Sequence, residues 1–290
     1  MKINSKVKNR TKNKIYNLLF LIPALTFFCF SIVYPFLRGI SYSFTNWDGI
    51  AKKYDFIGLK NYIRLFSDSS LLTPLKNSLE YTIITVILVN VLGILLALAF
   101  NRKGHIYKYL RMIFFMPFVI SLVLSAYMWR YMYSDVIYPL LGIKSILGNP
   151  NTAMLGIVII CLWRDSGYAM LIYFAGLKSI PTEYYEAAKI DGAGVFAQFF
   201  KITLPLLIPA LMINVVQYLG WGIQVFDYVM AATGGGPGRA TETLAIYVYK
   251  LTFPYARAGY GQAASILMMI GIFVLTAIVT KAFRRKEVEA

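Results

Sequence analysis

Six stretches of this chain, Ile15–Leu37, Ser78–Phe100, Met112–Tyr133, Ala153–Gly176, Leu204–Phe226 and Ala264–Phe283, are apolar over most of their length. Each is close to the roughly 20 residues a helix needs to cross a bilayer core. In hydrocarbon every backbone N–H and C=O must find a partner within the protein, and a run of this length finds them by forming a helix. The pattern therefore predicts an all-α integral membrane protein with six transmembrane helices. With 58% hydrophobic and only 14% charged residues in 290, the chain has too little charge to cover a soluble domain of its size. The first run is too long for the apolar region of a signal peptide, and no small-residue cleavage site follows it, so it is expected to remain as a span.

The net charge of +16 is gathered beside apolar runs and not along a soluble face, and no basic–aromatic groove accompanies it. Nucleic acid is thereby excluded as a partner, and membrane lipid is the expected surroundings. Segments 1–14, 101–111, 178–202 and 281–290 hold 17 Lys and Arg in 60 residues, against 10 in 96 for segments 38–77, 134–152 and 227–263. The positive-inside rule then puts both termini in the cytoplasm. Lys2, Lys6, Lys8, Arg10, Lys12 and Lys14 open the chain, and Lys281, Arg284, Arg285 and Lys286 close it, as membrane anchors. The expected organisation is a basic cytoplasmic N-terminus (1–14), a six-span domain (15–283) and a cytoplasmic tail (284–290). Cys29, Cys161 and the single histidine His105 cannot make a zinc site of ordinary ligand number, nor a disulfide framework.

Between the fourth and fifth runs, on the expected cytoplasmic side, residues 181–209 read PTEYYEAAKIDGAGVFAQFFKITLPLLIP. Thr182 is placed to cap a helix whose first turn carries Glu183. Tyr184, Ala187 and Ala188 share one face, with Glu186 outside it. Gly192, after Asp191, suits the left-handed residue that ends a helix. A second apolar helix with Val195, Phe196, Phe199, Phe200 and Ile202 follows, and Leu204-Pro205 is expected to open the fifth span, joined stiffly to the elbow. On helix chemistry alone this is either a coupling element or an amphipathic helix lying on the membrane surface.

The spacing Glu186-Ala187-Ala188, Gly192, Ile202, Leu204-Pro205, with Asp191-Gly192-Ala193 and Phe199, resembles the EAA loop of permease subunits of binding-protein-dependent ABC importers. Two further segments resemble the first permease subunit of carbohydrate importers of the maltose/glycerol-phosphate type. They are Phe44-Thr45-Asn46-Trp47-Asp48-Gly49 with Phe56-Ile57-Gly58-Leu59-Lys60-Asn61-Tyr62, and Gly234-Gly235-Gly236-Pro237-Gly238 with Thr241-Glu242-Thr243-Leu244. The resemblance covers nearly the whole chain. It implies the type I importer transmembrane fold in a bacterial cell membrane, a second homologous permease subunit, two ATPase subunits and an extracellular solute-binding protein. It also implies that Glu186, Ala187, Ala188, Asp191 and Gly192 dock in the ATPase, and that ATP and Mg bind there and not on this chain, which catalyses no reaction itself. Alignment through the same motifs places Asp165, Tyr168, Tyr218, Trp221 and Gly222 where the maltose-type permease contacts sugar.

Other features carry alternatives. The glycine run 233–238 follows an apolar span and lacks a Gly-Lys-Ser/Thr ending, so it reads as an outer turn capping the fifth span and not as a nucleotide cradle. Glu80, Arg130, Arg164 and Asp165 lie within spans, where charge is costly, and Asp227 lies at the end of one. Arg164-Asp165 reads either as an ion pair or as part of a cavity, and Ser166-Gly167 is expected to loosen the helix there. Gln217, Trp221 and Gln224 share a helical face suited to sugar, with an aromatic plate for C–H groups and amides for hydroxyls, or equally to helix–helix packing. Glycerol phosphate is the substrate alternative, with Arg130 and Arg164 as its cations. An ion-coupled secondary transporter is the alternative from another class.

Overall fold

The computed structural model describes residues 19–142 and 145–285. The expected N-terminal segment 1–14, the start of the first expected span and residues 286–290 of the tail lie outside the described residues. The described elements are helices of several kinds, with one isolated bridge between Thr45 and Phe56. The chain divides into two compact units, residues 1–66 with 251–266, and residues 67–250 with 267–290.

In the first unit, α1 (Leu19–Ser43) is one long apolar helix with a π-turn at Cys29–Val33. Phe20, Phe27 and Phe30 are exposed along it, a surface that suits lipid and not water. The following segment, read above only as a family signature, is a hydrogen-bonded knot. Asn61, at the start of α2 (Lys60–Ser67), donates its amide to the carbonyls of Ser43 (2.9 Å) and Thr45 (2.8 Å). Ser43 Oγ meets Tyr62 Oη at 2.7 Å, and the Gly259 N–H donates to the Trp47 carbonyl at 2.8 Å. A Cβ on Gly259 would strike the Thr45 carbonyl, so glycine is required there. The Asp48 carboxylate accepts the N–H groups of Ala51 (2.8 Å) and Ile50 (2.9 Å), and these bonds hold its pKa below the usual carboxylate range.

The second unit is built around α6 (Ala153–Ser179), which packs against α3 (Leu72–Phe100), α4 (His105–Val119) and α9 (Ile208–Ile223). Small residues let these helices meet closely. A Cβ on Gly93 would lie 2.8 Å from Ala169 Cβ, and one on Gly167 would collide with the backbone of Phe114. Ser166-Gly167 therefore does not loosen α6. The helix is continuous, and Gly167 is where α4 presses against it.

Four described helices, α1, α3, α6 and α11 (Ala258–Arg284), are unbroken and apolar enough to cross a membrane, and two bent pairs raise the count to six if each is one span. Two of the six expected spans are bent. The third expected span divides into α4 and α5 (Leu122–Leu141), turned by 96°. Pro117 lies in the last turn of α4, Ile120 is extended, and Ser121 caps α5 by accepting from the Leu124 N–H. The fifth bends by 64° between α8 (Val195–Leu206) and α9, so Pro205 lies in the last turn of α8 and Pro209 in the first turn of α9.

The glycine run also sits differently from its expected place. It follows a short helix, α10 (Asp227–Ala232), rather than capping α9 directly. Its loop is anchored to the start of α3, where the Asn77 amide donates to the carbonyls of Glu242 (3.0 Å) and Arg239 (3.1 Å). Ser78 Oγ accepts from the Leu244 N–H at 2.8 Å. Glu242 is buried there, paired with Arg239 and with Lys250 at 2.8 Å.

Candidate functional site

Two features of the second unit carry chemistry, a walled cavity and an exposed helical hairpin. The cavity encloses about 380 Å³ and is lined from α3 by Tyr81 and Thr85, from the α4–α5 bend by Phe118 and Leu122, and from α6 by Cys161 and Arg164. Tyr218, Trp221, Gly222 and Gln224 from the end of α9, with Asp227 and Tyr228 from α10, complete it. Trp221 is partly exposed and Phe118 stands at 6.5 Å from it, ring centre to ring centre, with Tyr168 stacked on Phe118 at 4.5 Å and 5.8 Å from Trp221. The result is an aromatic wall with amide, hydroxyl and carboxylate groups around it, the combination that receives a ring with an apolar face and a polar rim.

Arg164 fixes that wall. Its Nε donates to the Ile120 carbonyl and its Nη2 to the Phe118 carbonyl, each at 2.9 Å. These carbonyls end α4, where a helix has no partners of its own for them. The guanidinium also lies 4.6 Å over the Phe118 ring and pairs with Asp165 at 2.6 Å. Asp165 is turned away from the cavity. It is buried, and accepts from the Tyr228 hydroxyl at 3.2 Å, while the Tyr218 hydroxyl donates to its backbone carbonyl at 3.0 Å.

Of the residues expected along a substrate path, Tyr218, Trp221, Gly222 and Gln224 line the cavity, Tyr168 stacks on its wall, and Asp165 holds its frame. Gly222 has a packing reason as well, because a Cβ there would lie 2.8 Å from Thr82 Oγ1 on α3. Arg164 and Asp165 form an ion pair, and of the two Arg164 lines the cavity. Phe118, Tyr81 and Tyr228 were not expected. The Pro117-Phe118 step inside an apolar run is the one sequence signal that a wall residue sits there.

The hairpin comprises α7 (Thr182–Ile190) and α8. Thr182 does not cap α7. Pro181 occupies that position in an extended conformation and no side chain caps the helix, so Thr182 is its first residue. Glu186 and Ala187 are exposed and Ala188 is half-buried. Asp191 ends the helix, Gly192 follows at φ +76°, and the Ala193 N–H reaches back to the Ala188 carbonyl at 2.8 Å. Tyr185 Oη meets Thr203 Oγ1 at 2.9 Å and closes the hairpin. At its tip Ile190, Val195 and Phe196 are all more than 80% exposed, an unpartnered apolar surface beside Glu186.

The sequence profile of the family described as binding-protein-dependent transport system inner membrane component matches residues 89–288. The chain is 32% identical to the probable starch degradation products transport system permease protein of Thermoanaerobacterium thermosulfurigenes, over 96% of this chain and 97% of that one. It is 31% identical to the trehalose/maltose transport system permease protein of Thermococcus litoralis, over 98% of each. Its fold is similar to a chain in the crystal structure of a bacterial ABC transporter that imports the acidic polysaccharide alginate, with a TM-score of 0.83 and 23% identity over 97% of this chain and 99% of that chain. With a bent span on each side of its central helix and an exposed hairpin between α6 and α9, the chain belongs to the family of inner-membrane components of binding-protein-dependent transport systems, with the type I importer fold.

Proposed function

We propose that this chain is one half of the translocation path of an ATP-driven importer of a sugar or oligosaccharide. The observation that carries the reading is the connection between the hairpin and the cavity. The hairpin is continuous with α6 on one side and α9 on the other, and those two helices bring Arg164, Tyr218 and Trp221 to the cavity wall. In this reading the tip around Glu186, Ala187 and Gly192 docks in a separate ATPase subunit on the cytoplasmic face, with both termini on that side. ATP and Mg bind to the ATPase pair, whose closure moves this hairpin and that of a second permease subunit. The bundle then switches between inward and outward opening, and an extracellular binding protein delivers sugar to the outward cavity.

The trehalose/maltose and starch-product relatives support the sugar assignment, as does the aromatic wall. The ion-coupled alternative draws no support from the side chains it needs. Glu80 and Arg130 are exposed, and Arg164 and Asp165 are bound to each other and to neighbouring groups. ATPase co-purification and labelled maltooligosaccharide uptake test the proposal. Glu186→Lys is expected to abolish uptake and weaken ATPase association with membrane insertion intact. Normal uptake by that variant removes the coupling role.

A further inference from the structure

We infer that Asp227 makes this face of the cavity select uncharged saccharides against anionic ones such as uronates and phosphorylated polyols. The inference rests on the sugar reading and concerns the charge of the substrate alone.

Two charged side chains line the cavity, Arg164 and Asp227. Arg164 does not act as a receptor for an anion. Recognition of carboxylate or phosphate uses the guanidinium fork with its donors free. Here three of its five N–H donors are engaged, at the Ile120 and Phe118 carbonyls and at Asp165, and the Asp165 carboxylate neutralises the charge. Moving this side chain toward a ligand would strip the end of α4 and leave Asp165 buried without its cation. The nearby cations are committed as well. Arg239 and Lys250 are both paired with Glu242, and Arg130 lines a separate cavity beside the glycine turn.

Asp227 is the opposite case. Among the described residues no hydrogen bond or ion pair engages its carboxylate, and it faces the same space as Trp221 and Gln224. A free carboxylate accepts the hydroxyl protons of a neutral sugar whose C–H face rests on the indole. The same carboxylate repels an anionic ligand in a site partly withdrawn from water. With Arg164 and Asp165 cancelling, this face carries one net negative charge. That is the wrong sign for glycerol phosphate, and the Arg130 and Arg164 pair that kept glycerol phosphate open in the sequence does not converge on one cavity.

The test uses the purified assembly of this chain with its second permease and ATPases. The binding protein is left out, so that only the membrane cavity chooses. Maltotriose and trigalacturonate, of equal length, are titrated calorimetrically at low salt. Maltotriose is expected to bind at least about tenfold more tightly, the scale that a like charge at cavity distance imposes. The gap is expected to narrow in added salt and in Asp227→Asn, and to widen in Gln224→Glu. Equal binding of the two ligands to the wild-type assembly, or a gap that neither variant changes, overturns the inference and leaves the sugar reading standing. Binding of neither ligand overturns both.

Discussion

Arg164 acts as a helix cap supplied from a neighbouring helix. A cation in the middle of a span is costly, and its cost is offset here by Asp165, by two carbonyls that α4 cannot satisfy itself, and by the Phe118 ring. Removing one partner of such a buried pair typically costs about 3–5 kcal/mol. Arg164→Ala is therefore expected to lower unfolding stability in detergent on that scale, read from a urea or SDS titration, with Asp165→Asn less severe because the tyrosine hydroxyl remains. Stability unchanged in Arg164→Ala would show that the α4 end does not depend on it. Trp221→Ala has a different signature, since the ring is partly exposed and supports no backbone. Uptake is expected to fall while ATPase association and thermal stability stay as in the wild type, and unchanged transport kinetics would count against a sugar plate there. At this scale helical spacing made Trp221 and Gln224 visible together with Gln217, which does not line the cavity, and the family resemblance added Tyr218. Phe118 was hidden because its place in the wall depends on the 96° turn that follows Pro117, which spacing does not describe.

Among elements, the hairpin was the best-marked in the sequence, because each turn of it depends on a residue type. Gly192 sits at φ +76°, a conformation that costs a residue with a side chain about 1–2 kcal/mol. Gly192→Ala is expected to speed amide hydrogen exchange in residues 182–198 and leave α3 unchanged. Exchange unaltered across the hairpin would show the turn carries no strain. The bend at Leu207 escaped the sequence, since Pro205 and Pro209 are each acceptable in a first helical turn and only packing decides which opens the span. Leu207 is buried, and a Cβ on Gly176 of α6 would lie 2.9 Å from it, so the bend is seated against the central helix. The knot after α1 is expected to respond to pH. Asp48 in the folded turn has its pKa held below the usual range, so the stability it adds is complete above that range. That contribution is lost as pH falls through the lowered value. Trp47, whose indole N–H donates to Ala51 inside the same turn, should report the loss in its fluorescence. Asp48→Asn should remove the acid transition, and a transition that survives would assign it to another group.

For the whole molecule, the six apolar runs gave the fold class and the family resemblance gave the architecture. Two of those runs bend, and the bends make the machine. The α4–α5 bend leaves Phe118 at the cavity and frees the carbonyls of Phe118 and Ile120 for Arg164. The exposed tip at Ile190 and Phe196 is joined through α6 and α9 to the cavity, and in the proposed function force enters at that tip while substrate occupies the cavity. The most direct measurement is uptake of labelled maltooligosaccharide by proteoliposomes containing this chain, its second permease, the ATPases and the binding protein, with ATP and an ion gradient supplied separately. Uptake that requires ATP, ignores the gradient, and is lost in both Glu186→Lys and Trp221→Ala, with ATPase released only from the first, is the predicted result. Uptake driven by the gradient without ATP, or full uptake by Glu186→Lys, would contradict it.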